Sequence, residues 1–165
     1  MAEQVMIPVG IGELKIGKDP QEVLVAYGLG SCVGVCIYDP DSKVGGLAHV
    51  MLPNSAEAVS QRPLSKFADC AVPMLLDEMG RLGVAKRRLV SKIAGGAQML
   101  VAPGFSGNSF NIGERNVDAV KAALERLKVP LLKADTGGHR GRTLAMHLGV
   151  GKILVRTVGE KETEL

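Results

Sequence analysis

Apolar residues along the chain fall into two periods, and the change of period marks the elements. The first third carries short runs of strand length. Gln4 to Val9 is apolar-rich, Glu22 to Tyr27 leads into Gly28-Leu29-Gly30, Cys32 to Tyr38 follows, Asp39-Pro40-Asp41 makes a turn, and Val44 to Met51 returns. Within Cys32 to Tyr38, Val33, Val35 and Ile37 alternate with Cys32, Gly34, Cys36 and Tyr38. A period of two puts Cys32 on the face opposite the aliphatic set, so it need not be buried with them.

A longer period takes over in the middle. Phe67, Ala71, Leu75, Met79 and Leu82 recur at helical spacing, which predicts a helix over Leu64 to Leu82 closed by Gly83. Asn111 with Glu114 predicts a capping box that opens a second helix, whose stripe is Val117, Val120, Leu124 and Leu127, ended by Pro130. Strand-like runs resume at Leu89 to Ala94, Leu131 to Ala134, Thr143 to Leu148 and Lys152 to Val158. Two or three helices against many short strands, without regular alternation, predict the α+β class.

Composition narrows the functions. At 165 residues, 46% hydrophobic and 22% charged, the chain fits one compact domain with a real core. Glycine is abundant, 21 residues, in short signatures rather than a linker, so no domain boundary is visible. Met1-Ala2-Glu3-Gln4 lacks the basic start of a signal peptide, and no apolar run reaches the length of a membrane span, so the expected location is the cytoplasm. A net charge of +3 and 3% aromatic residues offer little to nucleic acid, and Lys86-Arg87-Arg88 reads as a solvated turn. Gly28-Leu29-Gly30 meets Val33 where a dinucleotide fingerprint needs glycine, and Gly151-Lys152 meets Ile153 where a phosphate loop needs Ser or Thr. The loop from Val101 to Ser109, with Phe105 and Phe110 nearby, reads as a docking surface or as a segment folded back on the core.

Candidate chemistry centres on sulfur. Three cysteines without a secretory signal imply reduced thiols. Cys32 and Cys36 would need two further ligands from Cys70, His49, His139 or His147 to hold zinc, and none of these shows paired spacing. Cys70 reads as a helix core filler. Cys32 directly follows the glycine turn, and His49 closes the next apolar run, a strand and a return away. Such a topology can bring a thiol beside an imidazole, the minimal machinery of a cysteine nucleophile, because the thiolate attacks and the imidazole moves the proton. Taken singly, the thiol reads as an inert core residue and the imidazole as a satisfied core histidine.

Several linked blocks resemble the CheD family of chemoreceptor glutamine deamidases: Gly28-Leu29-Gly30-Ser31-Cys32-Val33-Gly34-Val35, Gly45-Gly46-Leu47-Ala48-His49-Val50-Met51-Leu52-Pro53, Lys92-Ile93-Ala94-Gly95-Gly96-Ala97, Asn111-Ile112-Gly113-Glu114-Arg115-Asn116-Val117 and Asp135-Thr136-Gly137-Gly138. The resemblance runs from Ile7 to Val158 and suggests one domain over 1–158 with a short polar tail over 159–165. It implies a three-layer α/β/β sandwich similar to deamidating bacterial toxins, and hydrolysis of receptor glutamine side chains to glutamate. It places the nucleophile at Cys32 and the base at His49 and calls for no metal or organic cofactor; the backbone N–H groups around Gly30, Ser31 and Cys32, exposed by the small glycines, are the candidates for an oxyanion site. The implied partners are receptor cytoplasmic helices and a CheC-type CheY-phosphate phosphatase, with neither nucleic acid nor membrane insertion. The family's threonine, whose hydroxyl helps orient the histidine, corresponds to Ala26 here; a backbone carbonyl, Ser31 or Thr136 would have to substitute. That departure motivates an alternative, a weakly catalytic or non-catalytic regulator that binds receptors and the phosphatase. A redox or zinc module using the cysteines is a third reading. His139 is expected in a loop near the site, His147 to pack or face solvent, and Arg140 and Arg142 to form a solvated loop face.

Overall fold

The computed structural model describes residues 3–60, 62–99 and 111–165. The loop with Phe105 and Phe110 lies outside the described residues. Ten strands form two sheets of five. The first has the order β1 (Val5–Pro8), β3 (Glu22–Leu29), β8 (Arg142–His147), β9 (Lys152–Thr157), β10 (Thr163–Glu164). The second runs β2 (Leu14–Gly17), β5 (Val44–Val50), β4 (Val33–Asp39), β6 (Val90–Gly95), β7 (Leu131–Thr136). Pairing is antiparallel except for β1 with β3 and β6 with β7. The β6–β7 pair needs a crossover, which α2 (Ile112–Arg126) supplies.

The layers follow from the alternation in β4. Val33, Val35 and Ile37 face α1 (Ala68–Arg81) and α2 in a cluster with Ala71, Leu75, Val120 and Leu124. Cys32, Cys36 and Tyr38 face the other way, against Leu24, Ala26, Leu144 and Met146 of the first sheet. Helices, second sheet and first sheet therefore stack as α/β/β, the expected architecture. The period-two reading of Cys32 holds for the direction of its face, but that face is itself buried under the first sheet. At Gly45 and Gly46 a Cβ would strike Met146 and Leu148 on one face and Leu75 on the other, so this pair lets both outer layers close onto β5.

Several boundaries differ from expectation. The first helix begins at Ala68 rather than Leu64, because Leu64–Lys66 form a 3₁₀ turn whose Lys66 carbonyl accepts from the Met51 and Leu52 N–H groups. The segment thus extends the pairing of β5 before it turns helical. Asn111 makes no side-chain cap; its Oδ1 instead accepts from Gln98 Nε2 at 3.2 Å. Arg88 is no solvated turn residue. Its guanidinium donates to the fully buried Asp39 carboxylate at 2.9 and 3.1 Å. Burial alone would raise the Asp39 pKa, but Arg88, Ser42 and the Asp41 N–H hold it below the usual carboxylate value. The final residues are docked: β10 pairs with β9, and Leu165, half-packed on the inter-sheet core, donates its N–H to Ile153.

Candidate functional site

Cys32 sits immediately before β4, and His49 lies in β5 opposite Gly34. Two residues before Gly34 on the same face, Cys32 is the diagonal neighbour of His49, a separation of about 7–8 Å between Cα atoms in antiparallel pairs. Gly34 places no side chain between them. The fold therefore brings the two sequence candidates together on the inner face of the second sheet.

His49 is held at three points, two on its backbone and one on its ring. The backbone of His49 donates to Glu13 O and accepts from Gly12 N, both at 2.9 Å, so the β1–β2 connection clasps this point of β5. The side-chain Nδ1 lies 2.9 Å from the Val9 carbonyl. A carbonyl only accepts, so Nδ1 carries the hydrogen and Nε2 keeps its lone pair. That Nε2 is buried and has no hydrogen-bond partner among the described residues. Burial pushes the His49 pKa below its ordinary value, partly offset by the Val9 bond and the charge of Glu13. Cys32 is 8% exposed, and burial pushes its thiol pKa up. Burial thus disfavours the charged form of both side chains, and the Val9 bond leaves the lone pair of His49 Nε2 unengaged.

The loop before β4 is fixed by its carbonyls. Gly30 O accepts from Ala97 N at 2.8 Å, Ser31 O from Asn116 Nδ2 at 2.9 Å, and Cys32 O from Gly96 N at 2.8 Å. With three successive carbonyls tied down, the N–H groups of Ser31 and Cys32 have no partner among the described residues.

The remaining candidates lie elsewhere. Cys36 is fully buried between the sheets, with its thiol pKa strongly raised by burial, and Cys70 lies on α1 in the helix layer. Thr136 pairs with Gly95 and lines a cleft of about 270 Å³ together with Gly96, Gln98, Gly138 and His139; neither Cys32 nor His49 lines it. His139 Nδ1 donates to the Gln98 carbonyl at 3.0 Å, and His147 pairs with the Gln4 amide at 3.2 Å. Arg140 is exposed beside Glu160. Arg142 departs from the expected solvated face. It is 7% exposed, bound to Asp135 at 3.2 Å and directed at the Gly95 carbonyl, because β8 carries it under the second sheet.

The family model described as CheD chemotactic sensory transduction matches residues 51–157. A protein of Desulfitobacterium hafniense named "Probable chemoreceptor glutamine deamidase CheD" is 46% identical over 95% of this chain and 96% of its own. The chain belongs to the CheD family. Relatives with the same name in Symbiobacterium thermophilum and Clostridium botulinum are 43% identical over the full length of both chains and 44% identical over 93% of each. Among solved structures, a Neisseria meningitidis protein superposes with a TM-score of 0.49 at 10% identity, over 82% of this chain and 64% of that one, too loosely to bear on function.

In this CheD chain Ala26 is fully buried in β3, where it packs between the sheets and pairs with Leu144. The Val9 carbonyl, 2.9 Å from His49 Nδ1, already holds one side of the imidazole, and Ala26 offers it no side-chain acceptor. Ala26→Thr is therefore expected to cost stability through overpacking, about 1–3 kcal/mol, with turnover raised by less than about twofold. Thermal melts and steady-state rates on the same preparation check this; a large rate gain would show that Val9 does not suffice.

Proposed function

We propose that this CheD chain hydrolyses the side-chain amides of selected chemoreceptor glutamines, with Cys32 as nucleophile and His49 as base. The observation that carries the reading is the Nδ1–Val9 bond, which leaves Nε2 bare on the face His49 shares with Cys32. As the sulfur attacks the amide carbon, Nε2 takes the thiol proton. The oxyanion that forms is met by the N–H groups of Ser31 and Cys32, held by the anchored carbonyls of their loop. The imidazolium returns the proton to the departing nitrogen, and ammonia leaves a thioester on Cys32. Water, deprotonated by His49, cleaves the thioester to glutamate and restores the thiol.

Receptor cytoplasmic helices are the proposed substrate and a CheC-type phosphatase the proposed regulatory partner, both meeting the chain in the cytoplasm. Mass spectrometry of a receptor cytoplasmic fragment incubated with the protein tests the activity. Amide-to-acid shifts at defined glutamines are expected; a receptor that binds and stays amidated would favour the non-catalytic regulator.

The pKa directions give a pH expectation. His49 is depressed by burial, so its basic form persists below the ordinary histidine value of about 6.5. The acid limb of kcat/KM should fall below that pH. Linkage runs the same way: as pH falls, the unfolded chain takes up the proton first, so the contribution to stability is full above about 6.5 and lost towards the folded pKa. Melting temperature against pH for wild type and His49→Gln checks this, the variant giving the flatter curve.

A further inference from the structure

We propose that Asn116 is a positioning residue that holds the Cys32 loop and the His49 strand in register, an inference that rests on the deamidase reading above. The β4–β5 ladder ends at Val33 opposite Val50, so the next residues along, Cys32 and Met51, begin a fork. On one side Met51 leaves β5 by donating to Lys66 O; on the other, Ser31 turns back into the glycine loop. The carbonyls at the mouth of the fork, Ser31 O and Met51 O, are both acceptors and cannot bond to each other. Asn116, fully buried on α2, spans them: its Nδ2 donates to Ser31 O and to Met51 O, each at 2.9 Å.

One amide nitrogen thus replaces the missing rung of the ladder, one residue before Cys32 and two after His49. The orientation of the amide is settled by its partners, since only the NH₂ end can serve two carbonyls. Its Oδ1 is left buried without a partner among the described residues. A residue selected for packing alone would not bury an unpaired acceptor, which is costly in a folded interior. The helix that carries Asn116 is tied to the same loop. At Gly113 a Cβ would collide with the carbonyls of Gly96 and Ala97, and Gly96 N–H is the donor that holds Cys32 O. α2 therefore reaches the Cys32 segment through two routes, and Asn116 is the one that also reaches the strand of His49.

The test uses Asn116→Ala and Asn116→Ser, the second keeping one donor. Steady-state rates on a receptor fragment are read together with the rate of Cys32 alkylation by iodoacetamide, mapped by peptide mass spectrometry, at a temperature where circular dichroism shows each variant folded. Asn116→Ala is expected to lower kcat about 10–100-fold, since misplacement by about 1 Å costs that much, with KM within about twofold of wild type. Cys32 alkylation should slow in parallel, and Asn116→Ser should fall between the two. If the alanine variant does not fold, the serine variant carries the test. Variants that melt lower while kcat and alkylation stay at wild-type values would overturn the proposal and leave Asn116 a structural residue. A wild-type protein without turnover would sink the deamidase reading instead, and the alkylation series would still decide whether Asn116 governs the exposure and reactivity of Cys32.

Discussion

Cys32→Ser is expected to abolish receptor deamidation, by at least about a thousandfold, while leaving the melting curve almost unchanged. A serine hydroxyl keeps the shape of the side chain in a site that is only 8% exposed. It cannot be brought to its nucleophilic form by an imidazole whose own basicity is lowered by burial. In the proposed mechanism His49 moves the proton in both half-reactions, so His49→Gln should cost about 10²–10⁴-fold. Combining the two should cost little more than Cys32→Ser alone, because residues that act as one unit are not additive. The covalent route adds its own signature. Hydroxylamine supplied with wild-type protein should intercept the thioester in place of water and leave glutamyl hydroxamate on the receptor. Deamidation that persists in Cys32→Ser would sink the mechanism even if the family activity stands.

What was legible in the chain follows from how each feature is encoded. Alternation in Val33 to Tyr38 and helical spacing from Val117 to Leu127 are side-chain patterns, and the structure realises both. The three-layer architecture came from the motif blocks rather than from periodicity. A period of two says that Cys32 and Val33 face opposite ways; it does not say that both faces are covered. β2 and β10, of four and two residues, are too short to show a period. Arg88 and Arg142 read as surface charges because their partners, Asp39 and Asp135, become neighbours only after folding.

The site divides along the same line. Cys32 and His49 stand out through their joint place in two motif blocks, whereas the group bonded to His49 Nδ1 is the carbonyl of Val9, and a backbone oxygen carries no sequence signature. Ala26 in place of threonine left that role open, and only the path of the chain after β1 fills it. Asn116 did carry a signal. It lies one turn before Val120 and two before Ala123, so a helical wheel places a polar amide on the buried face. A buried amide on an apolar stripe calls for partners, and here they are the backbone flanking both candidate residues.

Gly95→Ala is expected to damage fold and turnover together, because Gly95 is where β6 presses on the backbone of Cys32, the proposed nucleophile. It has φ of +116°, and a Cβ there would lie against the carbonyl oxygen of Cys32 and 3.2 Å from Val33 Cα. No side chain can rotate away from that contact; the Cys32 peptide itself would have to move, breaking the bond from Gly96 N–H that holds it. The Gly95 carbonyl would shift too, and it anchors Gly137 N–H and faces the Arg142 guanidinium. Backbone strain and overpacking together should cost about 2–5 kcal/mol, a fall in Tm of roughly 5–15 °C for a domain of this size. Where the variant is still folded, kcat should drop about tenfold or more through misplacement of Cys32. Gly28→Ala is the matched control. Gly28 also has positive φ, at +61°, but nothing lies within 4 Å of its added Cβ. It should cost only the left-handed conformation, about 1–2 kcal/mol, and keep kcat near wild type. If the two variants melted and turned over alike, the approach of β6 to Cys32 would not be what sets the nucleophile in place.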